Sequence, residues 1–525
     1  MSKHVFVSIS GLAFAALLSG AAMSADLRIG VSSEATTMDP HFYNLSPNVE
    51  VNRHIFDYLI DLDDKTQLIP ALAVSWRAID DTTWEFKLRP GVKFHDGTPL
   101  TAGDVAFTYE RAQNVPNSPA SYGQYLKRIS AVTVVDDLTL HIKTATPYAA
   151  LLYELTNVGI ISRKIGQDAK TPDYNSGKAA LGTGPYKLVE WVQGDRLVLQ
   201  RNEGYWGAKP HWDRVIVKPI TNPASRTAAL LAGDVDVINN VPSSDIARLK
   251  QDARLSLSQG LGLRLYYLSL DSNRDVTPFV MDKDGKPLAK NPLKDVRVRR
   301  AISKAFNRDA IVSQIMEGQA MPAGQYLPES LPATSAKLKP EAYDPEGARK
   351  LLAEAGYPDG FSITIHGPND RYPNDAKVVQ ALAQMLARIG VKTAVDTMSR
   401  TIYFGRFSKL EFSIGFSGTS TDTGEVMDML KYLSQTFNAD KGVGAGNRGR
   451  YSNARFDQLI EQAYGTTDEA KRNALIVEAT EIAIGQDVAL VPLYWPLNTW
   501  GTRKGLSYAA RPDEYTLATG VKPVP

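Results

Sequence analysis

His95 and Asp96 stand side by side in GVKFHDGTPLTAGDVAFTYERA, residues 91–112. An imidazole beside a carboxylate is the raw material for activating a nucleophile. Such chemistry also needs a hydroxyl or thiol within hydrogen-bond reach of the ring. The chain has no cysteine and no Gly-x-Ser-x-Gly turn. Adjacent side chains also point in different directions, so the pair reads as a corner in a scaffold and the chain as a non-enzyme. Metal chemistry finds as little support. Histidines 41, 54, 95, 141, 211 and 366 are scattered, with no His-Glu-x-x-His. Asp282-Lys283-Asp284-Gly285 opens like a calcium loop but lacks the later glutamate, and reads as a turn. Gly182-Thr183-Gly184-Pro185-Tyr186-Lys187 lacks phosphate-loop spacing. No cofactor and no resident metal is expected.

The elements around the corner fit a scaffold. Trp84, Phe86 and Leu88 alternate along a strand that follows an Asp80-Asp81 turn. A second hairpin turns at Asp136-Asp137, and a third at Gln193-Gly194-Asp195. Thr101 with Asp104 forms a capping box at the start of a helix. A short apolar strand runs from about Leu27 to Val31. The second half alternates helices with short strands. Asp344 caps a helix with Pro345 at its first position and Gly356 past its end. FSITIHG and EFSIGFSG read as strands. This alternation predicts an α/β lobe.

Residues 1–25 carry Lys3, an apolar core from about Val5 to Leu18, and small residues ending at Ala25. That is the layout of a secretory signal peptide, too short in its apolar part for a membrane span. Met23 at the −3 position is imperfect, so the cut falls there or up to three residues earlier. With no cysteine, neither a lipid anchor nor a disulfide is available. The remaining chain needs more than one core. Lys+Arg number 59 against 57 Asp+Glu, with no basic run, so nucleic acid is not an expected partner.

Five stretches together resemble one family. They are LRPGVKFHDGTPLTAGDVAFTYERA, LGTGPYKLVEWVQGDRLVLQRNEGYWG, ALLAGDVDVINNVP, VRVRRAISKAFNRDAIV and YDPEGARKLLAEAGYPDGF. In this order, and over the whole mature chain, they resemble the family 5 extracellular solute-binding proteins of peptide-, nickel- and opine-type ABC transporters. The resemblance implies an α/β, two-lobe periplasmic binding protein fold of the Venus-flytrap kind, with a strand-rich subdomain inserted in lobe I. Mapped onto this chain, lobe I covers residues 26–268 and 499–525, with the insert at about 51–182. Lobe II covers 269–498. The implied function is capture of a small peptide or peptide-like solute for an inner-membrane ABC permease and its ATPase subunits, by a soluble periplasmic monomer. An opine, an oligosaccharide or a chelated metal remain alternative ligands, and a secreted hydrolase a distant alternative.

The resemblance also points to a ligand loop. In dipeptide-binding relatives an Asp after a Gly-Trp strand end pairs with the ligand's amino group. The matching stretch here is IGFSGTSTDTGEVMDML, residues 414–430, with Thr419 at the position of that Asp. Asp422 and Glu425 are the nearby carboxylates, although Asp422 also suits a helix cap. Arg400 and Arg406 are candidates for a ligand carboxylate. Tyr494 and Trp495 are candidates for the pocket wall. Glu34, Thr36 and Thr37 follow the first strand, at the carboxyl edge where α/β sheets present ligands.

Overall fold

The computed structural model describes residues 26–63, 67–282, 284–421, 423–466 and 468–524. The expected signal, residues 1–25, lies outside them, as do Lys283 and the candidate Asp422. No helix among the described residues is long and apolar enough to cross a membrane.

Strand β1 (Asp26–Val31) buries Leu27 and Ile29 completely. Helix α1 (Ser46–Ile55) starts with proline in its first turn. Two hairpins follow, β2 (Ala73–Asp80) with β3 (Thr83–Leu88), then, after helix α2 (Ala102–Gln113), β4 (Ile129–Asp136) with β5 (Thr139–Thr144). The first aspartate of each pair makes the turn. Asp80 Oδ1 accepts from the Thr82 N–H at 2.8 Å, and Asp136 Oδ1 from the Leu138 N–H at 2.8 Å. The hairpins join into one antiparallel sheet of order β2-β3-β5-β4. Its inner strands bury Phe86, Leu88, Leu140 and Ile142 in the same core as Val105 and Tyr109 of α2. The third hairpin, β6 (Tyr186–Val192) and β7 (Arg196–Arg201), instead forms one edge of the large sheet, beside β8 (Arg214–Pro219). There β8 and β9 (Val237–Ile238) flank β1 in parallel.

His95 sits at the corner between β3 and α2. Its N–H donates to Gly182 O at 2.9 Å, and Nε2 contacts Gly184 O at 3.0 Å. Lys187 Nζ donates to the His95 carbonyl at 3.0 Å. A Cβ on Gly182 would stand 2.0 Å from the Ile55 carbonyl oxygen, so only glycine lets this segment lie on α1. Asp96 turns away and accepts from the Thr98 N–H at 3.0 Å. The capping box at Thr101 and Asp104 is present.

The second half of the large sheet contains β11 (Leu265–Leu270), reached from β10 (Leu255–Leu261). Helix α3 (Pro345–Glu354) is capped by the Asp344 side chain, which accepts from the Gly347 N–H at 2.8 Å. Then come β12 (Ser362–Pro368), α4 (Asp375–Ala387), β13 (Lys392–Met398), α5 (Arg400–Ser408) and β14 (Ile414–Thr419). Helices α6 (Val426–Leu433), α7 (Ala454–Gly465) and α8 (Glu469–Thr480) precede the long strand β15 (Leu490–Arg503). β15 pairs with β11 through Leu490–Tyr494 and with β10 through Leu497–Arg503, so one strand runs through both halves of the 13-stranded sheet.

The partner exchange falls at residues 262–264 and around Pro496, ahead of the boundaries at 268/269 and 498/499 read from the sequence. LRLYYLSL is apolar apart from Arg264 and Ser269, and its pattern does not mark the change. Gly262 does mark it, since a Cβ there would stand 2.8 Å from Asn498 Oδ1. Arg264, in the crossing, holds Glu514 of the C-terminal segment through Nε and Nη2 at 2.9 and 3.0 Å, and Gly418 O through Nη1 at 3.2 Å.

Burial pulls the His95 imidazole down from 6.5 to about 4, with Lys187 adding and Gly184 O and Asp96 opposing. Replacing His95 with Gln should lower unfolding free energy on the order of 1–3 kcal/mol, the range for a lost buried hydrogen bond. The wild-type ring stays neutral while the unfolded chain's ring takes a proton. The gap between parent and variant, read by denaturant titration, should therefore be full above pH 6.5 and shrink toward pH 4.

Candidate ligand-binding site

Strands β12, β13 and β14 run parallel, so their carboxyl ends share one edge of the sheet. β14 ends in Gly415-Phe416-Ser417-Gly418-Thr419 because tyrosines press on its backbone. A Cβ on Gly415 would stand 2.5 Å from the Phe407 ring and 2.8 Å from Tyr403 Oη, and one on Gly418 would stand 2.9 Å from the Tyr266 ring. Tyr403 Oη donates to Phe416 O at 2.8 Å, and Tyr372 Oη donates to Gly418 O at 3.0 Å. Tyr267 Oη lies 3.3 Å from Thr419 Oγ1. Burial raises the Tyr432 hydroxyl, Arg448 opposes that shift, and Tyr372 and Tyr43 add to it.

Two cations lie near aromatic rings that pack around β14. The Arg371 guanidinium lies 5.0 Å from the centre of the Tyr372 ring, and that of Arg448 lies 5.9 Å from the centre of the Phe407 ring. Neither pairs with a carboxylate among the described residues. A partly covered guanidinium without a counter-ion favours an anion, and its planar fork matches a carboxylate in two hydrogen bonds.

A second feature is a cavity of about 580 Å³ between the β2–β3 tip, the Tyr148–Tyr153 segment, residues 423–427 and α8. Glu425 Oε1 accepts from Arg472 Nη2 at 2.7 Å. The two side chains are 12% and 9% exposed, and Glu425 Oε2 and Arg472 Nε have no partner among the described residues. Burial raises Glu425 to about 7 against the pull of Arg472. Beside the cavity, Lys431 Nζ of α6 meets Glu154 Oε1 at 2.6 Å, and Tyr148 Oη donates to the same oxygen at 2.6 Å. The Arg128 guanidinium lies 4.2 Å from the Tyr464 ring centre and 4.7 Å from that of Tyr148. The strand-rich subdomain is thus docked on α6 and α7 through desolvated charge and ring contacts.

The candidates read from sequence scatter across the molecule. Thr419 stands at the strand edge and Glu425 lines the cavity. Arg400 opens α5, where its backbone N–H donates to Asp370 at 2.6 Å and its Nε lies 3.9 Å from that carboxylate. Arg406 pairs with Glu411 at 2.8 Å and lies over Phe412. Neither arginine lines the cavity. Tyr494 is fully buried, stacked on Tyr266 at 4.7 Å, and Trp495 donates to Tyr326 O at 3.2 Å, so both belong to the core. Glu34 accepts from the Gly194 N–H at 2.5 Å. Thr36 bonds Asn48, and Thr37 bonds Asn175 and Asp39, which fixes their loop. Arg371, Tyr372, Tyr432, Arg448 and Arg472 were not singled out from the sequence. Arg371 carried a signal, because it follows the strand FSITIHG just as Glu34 follows β1. Arg472 carried none, since it reads as one charge among many on an amphipathic helix.

The Glu154–Lys431 pair gives a stability test. Burial pushes the Glu154 carboxyl up, with Lys431 and Tyr148 holding it down. Lys431→Met would leave that carboxyl buried without a counter-ion, at a cost of roughly 3–5 kcal/mol in denaturant titration. Adding Glu154→Gln should restore a substantial part of the loss, because the amide needs no counter-ion.

Comparison with known proteins agrees with this architecture. Residues 67–441 match the family model described as bacterial extracellular solute-binding proteins, family 5 Middle. The glutathione-binding protein GsiB of Pectobacterium atrosepticum is 31% identical over 466 residues, which span 87% of this chain and 86% of that protein. GsiB of Escherichia coli (strain K12) is 30% identical over 496 residues, or 92% and 91% of the two chains. Among solved structures, the periplasmic binding protein DppA from Helicobacter pylori, in complex with the peptide STSA, superposes with a TM-score of 0.81 at 25% identity. That match covers 95% of this chain and 98% of the other. The dipeptide binding protein of Pseudoalteromonas sp. SM9913, in complex with Met-Leu, shares the fold with a TM-score of 0.80 at 21% identity, covering 95% and 100%. The chain belongs to the bacterial extracellular solute-binding proteins, family 5.

Proposed function

We propose that this protein is the exported, non-catalytic binding component of an ABC import system for a short peptide or peptide-like solute bearing a free carboxylate. The observation that carries this is the pair of guanidiniums without a carboxylate partner among the described residues, Arg371 beside Tyr372 just past β12 and Arg448 near the Phe407 ring. A carboxylate would take the guanidinium fork, while Thr419 and the tyrosine hydroxyls would meet amide groups of the ligand. The relatives bind glutathione and a four-residue peptide, both of which carry carboxylates. Thr419 in place of an acidic residue leaves the ligand's amino end to other groups.

The ligand would lie between two lobes that meet at residues 262–264 and around Pro496, with the strand-rich insert on the first lobe. The mature protein would begin near Asp26, work in the periplasm as a monomer, and pass its cargo to a membrane permease with ATPase subunits. The chain has no cysteine to carry a lipid anchor.

Calorimetric titration with glutathione, and with short peptides whose carboxyl end is free or amidated, tests the reading. Free carboxylates should bind and amidated peptides should bind far more weakly. Arg371→Gln and Arg448→Gln should each weaken binding by about ten- to a hundredfold, the range of a charge-assisted hydrogen bond, and should melt like the parent. Equal binding of free and amidated peptides, with both variants at parental affinity, would rule the reading out.

A further inference from the structure

The cavity at Glu425 has the opposite electrostatic character from the strand edge. Among the described residues, Asp80, Asp81, Glu425 and Glu469 bring four carboxylates to its lining against one cation, Arg472. That cation is already engaged by Glu425 Oε1. Three aromatic side chains, Trp84, Tyr148 and Tyr153, form part of the wall. The volume, about 580 Å³, falls within the range of small-molecule sites.

The floor holds two buried polar atoms without a partner among the described residues. Among the described residues, buried Glu425 Oε2 accepts no hydrogen bond and buried Arg472 Nε donates none. A buried carboxylate oxygen without a donor is costly, and folded proteins rarely leave one in that state. The neighbouring pair shows the contrast, because Glu154 Oε1 receives both Lys431 and Tyr148. We propose that this cavity is a binding site for a small organic cation, an amine or guanidine, separate from the carboxylate-reading strand edge. The cation would donate to Glu425 Oε2, lie against the faces of Trp84 and the two tyrosines, and face the acidic rim at Asp80, Asp81 and Glu469. A long amine would place its second polar group at that rim.

The groups facing Glu425 fix the pH behaviour. Arg472 of α8 and Asp428 of its own helix act on it, with Glu154 from the strand-rich subdomain, and its charge acts in turn on Tyr153. Tyr153 also feels Glu469. Burial is the largest influence and holds the carboxyl near 7, so at neutral pH it is partly protonated. A bound cation favours the charged form, so binding should release a proton and strengthen as pH rises through 7.

The test uses agmatine as the cation probe and glutarate as an anionic control, titrated by calorimetry into the purified protein. Agmatine should bind saturably at one site, glutarate should not displace it, and the apparent heat should shift between buffers of different ionisation enthalpy as a proton is released. Glu425→Gln should weaken agmatine by more than about tenfold and abolish the buffer dependence. Trp84→Leu should weaken it by about three- to thirtyfold. Glu469→Gln, on the exposed rim, should weaken it by about two- to fivefold through its lost charge. Should Glu425→Gln fail to fold, the rim variant, the tryptophan variant and the parent's buffer dependence decide the matter. Absence of saturable agmatine binding to the parent overturns the proposal, and so does binding that neither Trp84→Leu nor Glu469→Gln weakens. Failure of peptide binding would count against the strand-edge reading alone, because that experiment uses a different probe and different residues.

Discussion

The hydrogen-bond ladder of β15 is the constraint on which the rest of the molecule depends. Fourteen residues, Leu490–Arg503, pair with β11 at one end and β10 at the other. Neither half of the sheet is complete without this strand. Two features loosen the ladder where it changes partner. Pro492 and Pro496 cannot donate backbone hydrogen bonds, and the β11–β15 register shifts between Tyr266 and Tyr267. The first pass through the crossing, residues 262–264, lies against this point, since the Gly262 N–H donates to Pro496 O at 2.8 Å. Irregular pairing thus falls on adjacent passes at one point of the frame. Arg264 ties this crossing to Glu514 and to the end of β14.

Around this frame, charge is distributed by burial. Among the described residues, Arg371 and Arg448 have no carboxylate partner, while the cavity collects four carboxylates around one arginine. Between the β2–β5 subdomain and α6, the Glu154–Lys431 pair is only 3% and 14% exposed. A pair so desolvated contributes modestly to net stability, because removing both charges from water offsets much of their attraction. It does make the docking specific, since each charge is expensive in any arrangement that leaves the other behind.

Buried titratable groups act in opposite directions with pH. His41, His54, His95 and His366 are all drawn by burial from 6.5 to about 4, so acid favours the unfolded chain at each. Glu50 is raised to about 8, Asp57 to about 6 and Glu425 to about 7, each mainly by burial. These carboxyls bind a proton more readily in the folded state, so acid favours folding at each until the unfolded chain's carboxyls protonate too. The two sets offset each other below pH 6.5, although no single group is insensitive there.

The sequence by itself determined the local elements, because their signals are local. Asp80 and Asp136 make their turns with a backbone N–H two residues on, Asp344 and Pro345 start a helix, and Thr101 with Asp104 closes a capping box. It also pointed to His95 as a corner, since the residue falls between a strand end and a capped helix start. The family was legible for a related reason, its motifs being turns and helix starts with fixed spacing. Tertiary structure decided the surroundings of each candidate residue. Glycines at 415 and 418 could be read as turn or strand residues, and only the tyrosines packed on them show a crowded strand end. Tyr494 and Trp495 lie in the buried strand β15 and pack in the core, because orientation within a fully buried strand follows from what covers each face. Arg371 and Arg448 differ from Arg400 and Arg406 only in having no carboxylate partner among the described residues, and partners distant in sequence leave no periodic trace. The Glu425–Arg472 pair joins residues 47 apart, and the pairing of charges across such distances is set by the packing of helices, not by local sequence.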